Sequence, residues 1–291
     1  MNLPAQGDET VNIPAPPEID LNATLGSGQT FAWTQSNHTW SGWIDHRPVS
    51  LFPSSTPSPC PPWLHNYFHL HLDWPHLHTQ LSHDPHLRHA IQAFPGLRLI
   101  RDPWWPCLVG FLCSSLKPIP QIRLLHHQLR HTFGTPSFPS PETIAQVGEA
   151  ALRRCRLGYR ARFIHRVATT IASGHWTWDL TPGIPLQEAS ARLQQLPGVG
   201  EKIARCVLLY TGTCLQAFPL DVWTTRILTD LYWKKKRPPK PTELLDFADR
   251  HFGPYAGIAQ LYLFHWFRNT PTRFTRLPPK KTTPFPSLPP T

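Results

Sequence analysis

Two residues in this chain pair a reactive side chain with a setting that gives it chemistry to do. Lys202 stands in the stretch LPGVGEKIARCVLLY, and Asp221 stands nineteen positions later in FPLDVWTTRIL. Lys202 falls in the first turn of a helix, where the helix dipole disfavours a positive charge. A cation placed there adds little stability. A lysine amine is also a nucleophile that can attack a sugar carbon and form a Schiff base. The plainer alternative is a lysine that touches phosphate or solvent. Asp221 directly precedes another helix, and aspartate is a favoured N-cap. A capping carboxylate is held in one rotamer. It can stabilise an oxocarbenium-like sugar or handle the proton of the amine.

The segment LPGVG reads as the turn of a helix–hairpin–helix. Gly198 and Gly200 permit positive φ and let another backbone come close. The amides that open the following helix carry the positive end of its dipole and form an anion site. A DNA phosphate fits such a site without any reading of sequence. Gly198, Val199 and Gly200 are therefore candidate DNA contacts, against the plain reading of a tight turn between core helices. Composition agrees: the formal net charge is +10, which favours a polyanionic partner.

These residues need elements to hold them. The 291 residues, 40% of them hydrophobic, are enough for one large or two modest folded domains. The early stretch TFAWTQSNHTWSGWIDHRPVSLFP reads as short strands separated by turns. NYFHLHLDW sets Phe68, Leu70 and Leu72 against His69, His71 and Asp73, the alternation of a half-buried strand. From about residue 75 the period becomes helical. Helices are expected in HLRHAIQAFPG, DPWWPCLVGFLCSSL, IPQIRLLHHQLRHTFG, SPETIAQVGEAALRRC and YRARFIHRVATTIASG. PLQEASARLQQ and EKIARCVLLYTG flank the hairpin, and DVWTTRILTDLYW and PYAGIAQLYLFHWFRN follow it. Ser140-Pro141-Glu142 is a helix start. The end of the chain is proline-rich.

Six cysteines show no CxxC pair and read as reduced thiols. The irregularly spaced histidines between 65 and 89 read as a solvated polar face rather than a metal site. No apolar run approaches the roughly 20 residues of a membrane span. The N-terminus is acidic and polar, unlike a signal peptide. The expected setting is therefore a bacterial cytoplasm or nucleoid, or a eukaryotic nucleus. A monomer is expected.

LPGVGEKIA followed by PLDVW resembles the helix–hairpin–helix (HhH-GPD) DNA glycosylase superfamily, and within it the 8-oxoguanine DNA glycosylase/AP lyases. GSGQTFAW, LIRDPWWPCLVGFLCSS, LGYRARFI and GPYAGIAQLYLF resemble further blocks of that family, over about residues 20 to 268. The resemblance implies an α+β fold: a small antiparallel β-sheet domain, then two mainly helical lobes with the active-site cleft between them. The expected divisions are a flexible N-terminus at 1–20, the β domain at 21–95, the helical domain at 96–268 and a proline-rich tail at 269–291. It also implies duplex DNA containing oxidised guanine as the partner, a base flipped out of the stack, and neither cofactor nor metal.

Residue by residue, the resemblance makes Lys202 the nucleophile and Asp221 the essential aspartate. It makes the Gly28 carbonyl the acceptor for the N7 hydrogen that 8-oxoguanine has and guanine lacks. Gln260 would read the Watson–Crick edge, and Phe264 and Cys206 would sandwich the base. Tyr159 and Arg160 would wedge into the duplex and meet the unpaired base. Three departures stand out. Leu116, Lys117 and Pro118 replace family asparagines, the first of which fills the gap and bonds the opposite cytosine. Gln121 replaces an arginine that reads the same cytosine, and Trp223 stands where histidine is frequent. Leu116 can plug the gap but cannot hydrogen-bond cytosine. Two other readings stay open: a monofunctional glycosylase for alkylated bases, and a non-catalytic helix–hairpin–helix DNA-binding protein.

Overall fold

The computed structural model describes residues 10–56, 58–134, 137–233 and 237–270. The first nine residues and the proline-rich tail from residue 271 lie outside the described residues. Among the described residues four strands form one sheet: β1 (Val11–Pro14), β2 (Thr34–Ser36), β3 (Thr39–Ile44) and β4 (Arg47–Phe52), in the order β1-β4-β3-β2. The β2–β3 hairpin turns on Asn37 and His38, both at positive φ (47° and 64°). Such a two-residue turn matches the twist of its strands.

The sheet differs from the antiparallel one expected. β1 pairs parallel to β4, Val11 opposite Val49, whereas β2–β3 and β3–β4 are antiparallel. Parallel partners need a long connection. Here residues 15–46, with a helix and a hairpin, supply it. β1 also gives ordered backbone to residues 11–14, inside the segment expected to be loose.

Helices build the rest. They are α1 (Leu21–Gly26), α2 (Pro62–Tyr67), α3 (Trp74–Leu81), α4 (Pro85–Ala93), α5 (Trp104–Leu112) and α6 (Ile119–Phe133). Next come α7 (Pro141–Leu152, interrupted at Gly148), α8 (Arg160–Ala172), α9 (Leu186–Gln194) and α10 (Glu201–Tyr210). The last are α11 (Val222–Tyr232), α12 (Pro241–Phe252) and α13 (Ala256–Asn269). Caps set many starts: Asp20 accepts from Ala23 N at 2.9 Å, and Ser140 accepts from Thr143 N at 3.2 Å. The strand expected in NYFHLHLDW is instead the end of α2 and a turn. Pro62 opens that helix, and His69 sits at φ +48°, which no strand residue adopts.

Two cores result. The sheet closes one around Trp33, Trp40, Val49, Leu51, Tyr67 and Phe68. A larger one runs through all the later helices, from Trp74 to Phe267. The buried helix α5 lies within it, so the helical lobes share a single apolar interior.

Asp102 is buried between the two cores. Its carboxylate accepts from Thr30 Oγ1 at 3.2 Å and from the Tyr67 hydroxyl at 3.3 Å, and Trp33 Nε1 donates to that hydroxyl at 2.8 Å. Burial pushes this acid up to about 7, against the two donors that favour its charged form. The folded chain thus holds the proton more tightly than the unfolded one. The cost of ionising Asp102 is absent below its unfolded value of about 3.9. It grows as pH rises and is complete above about 7. Asp102→Asn mimics the protonated form. It should be more stable than the wild type at pH 8, with the difference vanishing near pH 4 in paired urea melts.

Candidate active site

The hairpin residues Leu196 to Gly200 join α9 to α10. Gly198 takes φ +81°, and a Cβ there would press into the Phe163 ring at 2.7 Å. Gly200 differs from expectation: its φ is −97°, so it needs no left-handed freedom, but a Cβ would meet only open space. Gly200 is the N-cap of α10 and gives no side-chain cap, which leaves first-turn amides for an outside acceptor. Leu196 and Val199 are buried and pin the turn to the core. Glu201 ties α10 back to α9, accepting from Ser190 Oγ at 3.0 Å and Gln194 Nε2 at 2.8 Å, and it pairs with Arg205.

Lys202 follows. Its Nζ donates to Ser114 Oγ at 3.0 Å and lies 5.4 Å from the centre of the Phe111 ring. Ser114 is 88 residues away in sequence, just past α5, and nothing local marked it. Cys206 stands one turn after Lys202 and shares its face of α10. Burial pushes the Cys206 thiol up to about 11, with the Lys202 charge pulling back and the Asp221 charge adding to the rise. It is therefore a neutral, polarisable wall at physiological pH. Asp221 caps α11 as expected: Oδ1 accepts from Thr224 N at 2.8 Å, and Asp221 N donates to Thr224 Oγ1 at 2.7 Å.

A cavity of about 500 Å³ brings Gly28, Lys202, Cys206, Asp221, Gln260 and Phe264 together, enough room for a nucleobase and its sugar. Gln260 and Phe264 lie one turn apart on α13. Gln260 is buried, and its Oε1 accepts from the Tyr210 hydroxyl at 3.5 Å. Tyr210 in turn stacks on Phe111, with centroids 5.4 Å apart. Trp223 also lines the cavity and is half exposed.

The expected duplex contacts lie outside that cavity. Leu116 is 96% exposed at φ +54°, and Tyr159 is 50% exposed, two apolar probes on the surface. Arg160 is not presented to solvent. It is buried, donates to the Ser115 carbonyl, and lies 4.5 Å from the Tyr159 ring centre. Its guanidinium here braces both probes rather than reaching out for a base. Gln121 is exposed and accepts from Lys117 Nζ at 3.4 Å.

The fold and the lysine-bearing hairpin define a base-excision glycosylase of the helix–hairpin–helix class. Residues 122–247 match the HhH-GPD superfamily of base excision DNA repair proteins, and residues 12–108 match the 8-oxoguanine DNA glycosylase N-terminal domain. The N-terminal match begins within β1. The chain is 30% identical to the N-glycosylase/DNA lyase OGG1 of Arabidopsis thaliana, over 85% of this chain and 77% of that one. It is also 30% identical to a probable N-glycosylase/DNA lyase of Methanothermobacter thermautotrophicus, over 70% and 73%. The solved structure of MBOgg1 with a low-affinity DNA ligand superposes with a TM-score of 0.81 at 31% identity, covering 87% of this chain and 93% of that one. The chain belongs to the 8-oxoguanine N-glycosylase/DNA lyase family.

The hairpin gives a direct test. Gly198→Ala should destabilise the protein by about 1–3 kcal/mol, from the positive φ and the Phe163 clash together. Thermal melting of the variant checks it, and an unchanged Tm would contradict the strain assigned to this turn.

Proposed function

We propose that this enzyme flips 8-oxoguanine out of duplex DNA, excises it with Lys202 as nucleophile, and cleaves the resulting AP site by β-elimination. One observation carries the reading: Lys202 and Asp221 open into the same cavity as Gly28, Cys206, Gln260 and Phe264. The nucleotide must leave the stack, because its glycosidic bond is out of reach inside the duplex. The Lys202 amine then attacks C1′ as the C1′–N9 bond breaks, and that electron pair departs with the base, which takes up a proton. Asp221, held by its cap, offers negative charge to the cationic sugar. Loss of the amine proton and opening of the sugar ring give a Schiff base. Removal of a C2′ proton expels the 3′ phosphate, and water releases Lys202. The Cys206 thiol and the Phe264 ring form the two walls for the base, and Gln260 reads its edge.

Borohydride trapping on an 8-oxoguanine duplex tests this chemistry. The wild type should give a covalent adduct, and Lys202→Gln should give none. Asp221→Asn should slow base release by about 10²–10³-fold, as loss of an electrostatic stabiliser does. Release of base by the wild type without trapping would instead indicate a monofunctional glycosylase.

The opposite base is read differently here. Leu116 offers an apolar side chain where an amide would bond cytosine, and Gln121 is engaged by Lys117. Excision rates for 8-oxoguanine opposite C, T, G and A should lie within about tenfold of one another, since the bidentate contact worth about 1–3 kcal/mol is missing. A steep preference for C would sink this expectation.

A further inference from the structure

Helix α1 ends beside the cavity, and two arginines from distant helices take its last carbonyls. Arg123 of α6 donates through Nη2 to the Leu25 carbonyl at 3.1 Å. Arg268, in the last turn of α13, donates to the Ser27 carbonyl at 3.1 Å and to the Gly26 carbonyl at 3.2 Å. Carbonyls at a helix C-terminus lack intrahelical partners and carry the negative end of the dipole, so guanidinium groups suit them. Among the described residues neither arginine has a carboxylate partner. Each lies over a ring instead, Arg123 at 5.5 Å from Trp40 and Arg268 at 6.0 Å from Phe264. Burial disfavours the cation of each, and the Arg268 charge adds to that cost at Arg123. Two cations are thus held together with no acid to balance them, which stability alone does not explain.

What they hold is the backbone immediately before Gly28. The residue immediately after it is held as well. The buried Gln29 donates through Nε2 to the Thr24 carbonyl at 2.9 Å and the Arg98 carbonyl at 2.8 Å, and its Oε1 accepts from Ile100 N at 3.0 Å. Gly28 sits between these anchors at φ +99°, and a Cβ there would strike Ile119. Among the described residues no donor meets its own carbonyl. The neighbouring carbonyls are used, and this one is left for a ligand.

We propose that Arg268, with Arg123 beside it, is a positioning residue for lesion specificity, locking the Leu25–Ser27 turn so that the Gly28 carbonyl meets a purine N7–H. This rests on the proposed function. A rigid acceptor rewards the N7 hydrogen of 8-oxoguanine and opposes the N7 lone pair of guanine. A loose one turns aside and loses both effects.

Two measurements decide it. The first is single-turnover excision of 8-oxoguanine set against cleavage of a preformed AP site, where no base meets Gly28. Arg268→Ala should slow excision at least tenfold and AP-site cleavage less than threefold, with Arg268→Lys restoring part of the loss. Equal losses on both substrates, or none on either, would overturn the proposal. The second needs no DNA: hydrogen exchange over residues 26–29 in Arg268→Ala and in Arg123→Met. Faster exchange confined to this segment, with Tm nearly unchanged, is expected, and unaltered exchange would overturn the proposal. A wild type that cleaves AP sites but releases no 8-oxoguanine would refute the proposed substrate instead, and the exchange measurement would still decide whether the arginines hold Gly28.

Discussion

The cavity depends on one constraint: the Lys202 amine must be held in place without a carboxylate clamped to it. The sequence puts Glu201 directly beside it, and a glutamate could easily capture it. The fold turns Glu201 the other way, into Ser190, Gln194 and Arg205. The Oδ1 of Asp221 is committed to Thr224. Lys202 is left with the Ser114 hydroxyl, the Cys206 thiol and an aromatic face. A hydrogen bond to Ser114 orients an amine without confining it in an ion pair, which is the freedom the proposed nucleophile needs. The α9–α10 hairpin leaves its first-turn amides without a side-chain cap and sets Lys202 at the cavity, as the proposed grip on a phosphate and attack on its sugar would require.

The residues proposed for substrate selection lie on two surfaces built by different means. The cavity side is rigid, made of buried helix faces, capped ends and a thiol. The duplex side projects outward on short turns, with Leu116 at positive φ and Tyr159 at the start of α8. Arg160 links the two probes by holding the Ser115 carbonyl while lying against Tyr159. Filling a gap with hydrocarbon asks for shape and little else, whereas the cavity asks for particular donors and acceptors.

Local chemistry was legible in the sequence, and long-range pairing was not. The first-turn place of Lys202, the left-handed Gly198 and the Asp221 cap could be read because each is defined by residues within a few positions of it. Gln260 and Phe264 came from the resemblance, and their one-turn spacing fits a shared helix face. Ser114, Arg123 and Arg268 carry no local signal, because their partners lie 88, 98 and 241 residues away. The alternation in NYFHLHLDW misled because it lies in sequence only: Tyr67, Phe68 and His69 are buried in succession in the turn after a proline-started helix. α12 went unread although Pro241 and Glu243 mark its start, Glu243 accepting from Lys240 N at 2.9 Å. β1 was missed because four residues at a sheet edge take their order from β4 rather than from their own composition.

The raised Cys206 thiol has a consequence beyond the shape of the pocket. Peroxide attacks thiolates, and a cysteine kept protonated by burial offers almost none. Cys107 and Cys113, on and just after the buried helix α5, are held protonated in the same way. Guanine is oxidised under the conditions that would convert an exposed thiolate to sulfenic acid. A thiol kept protonated by burial, as Cys206 is beside Lys202, presents a poor target to such oxidants.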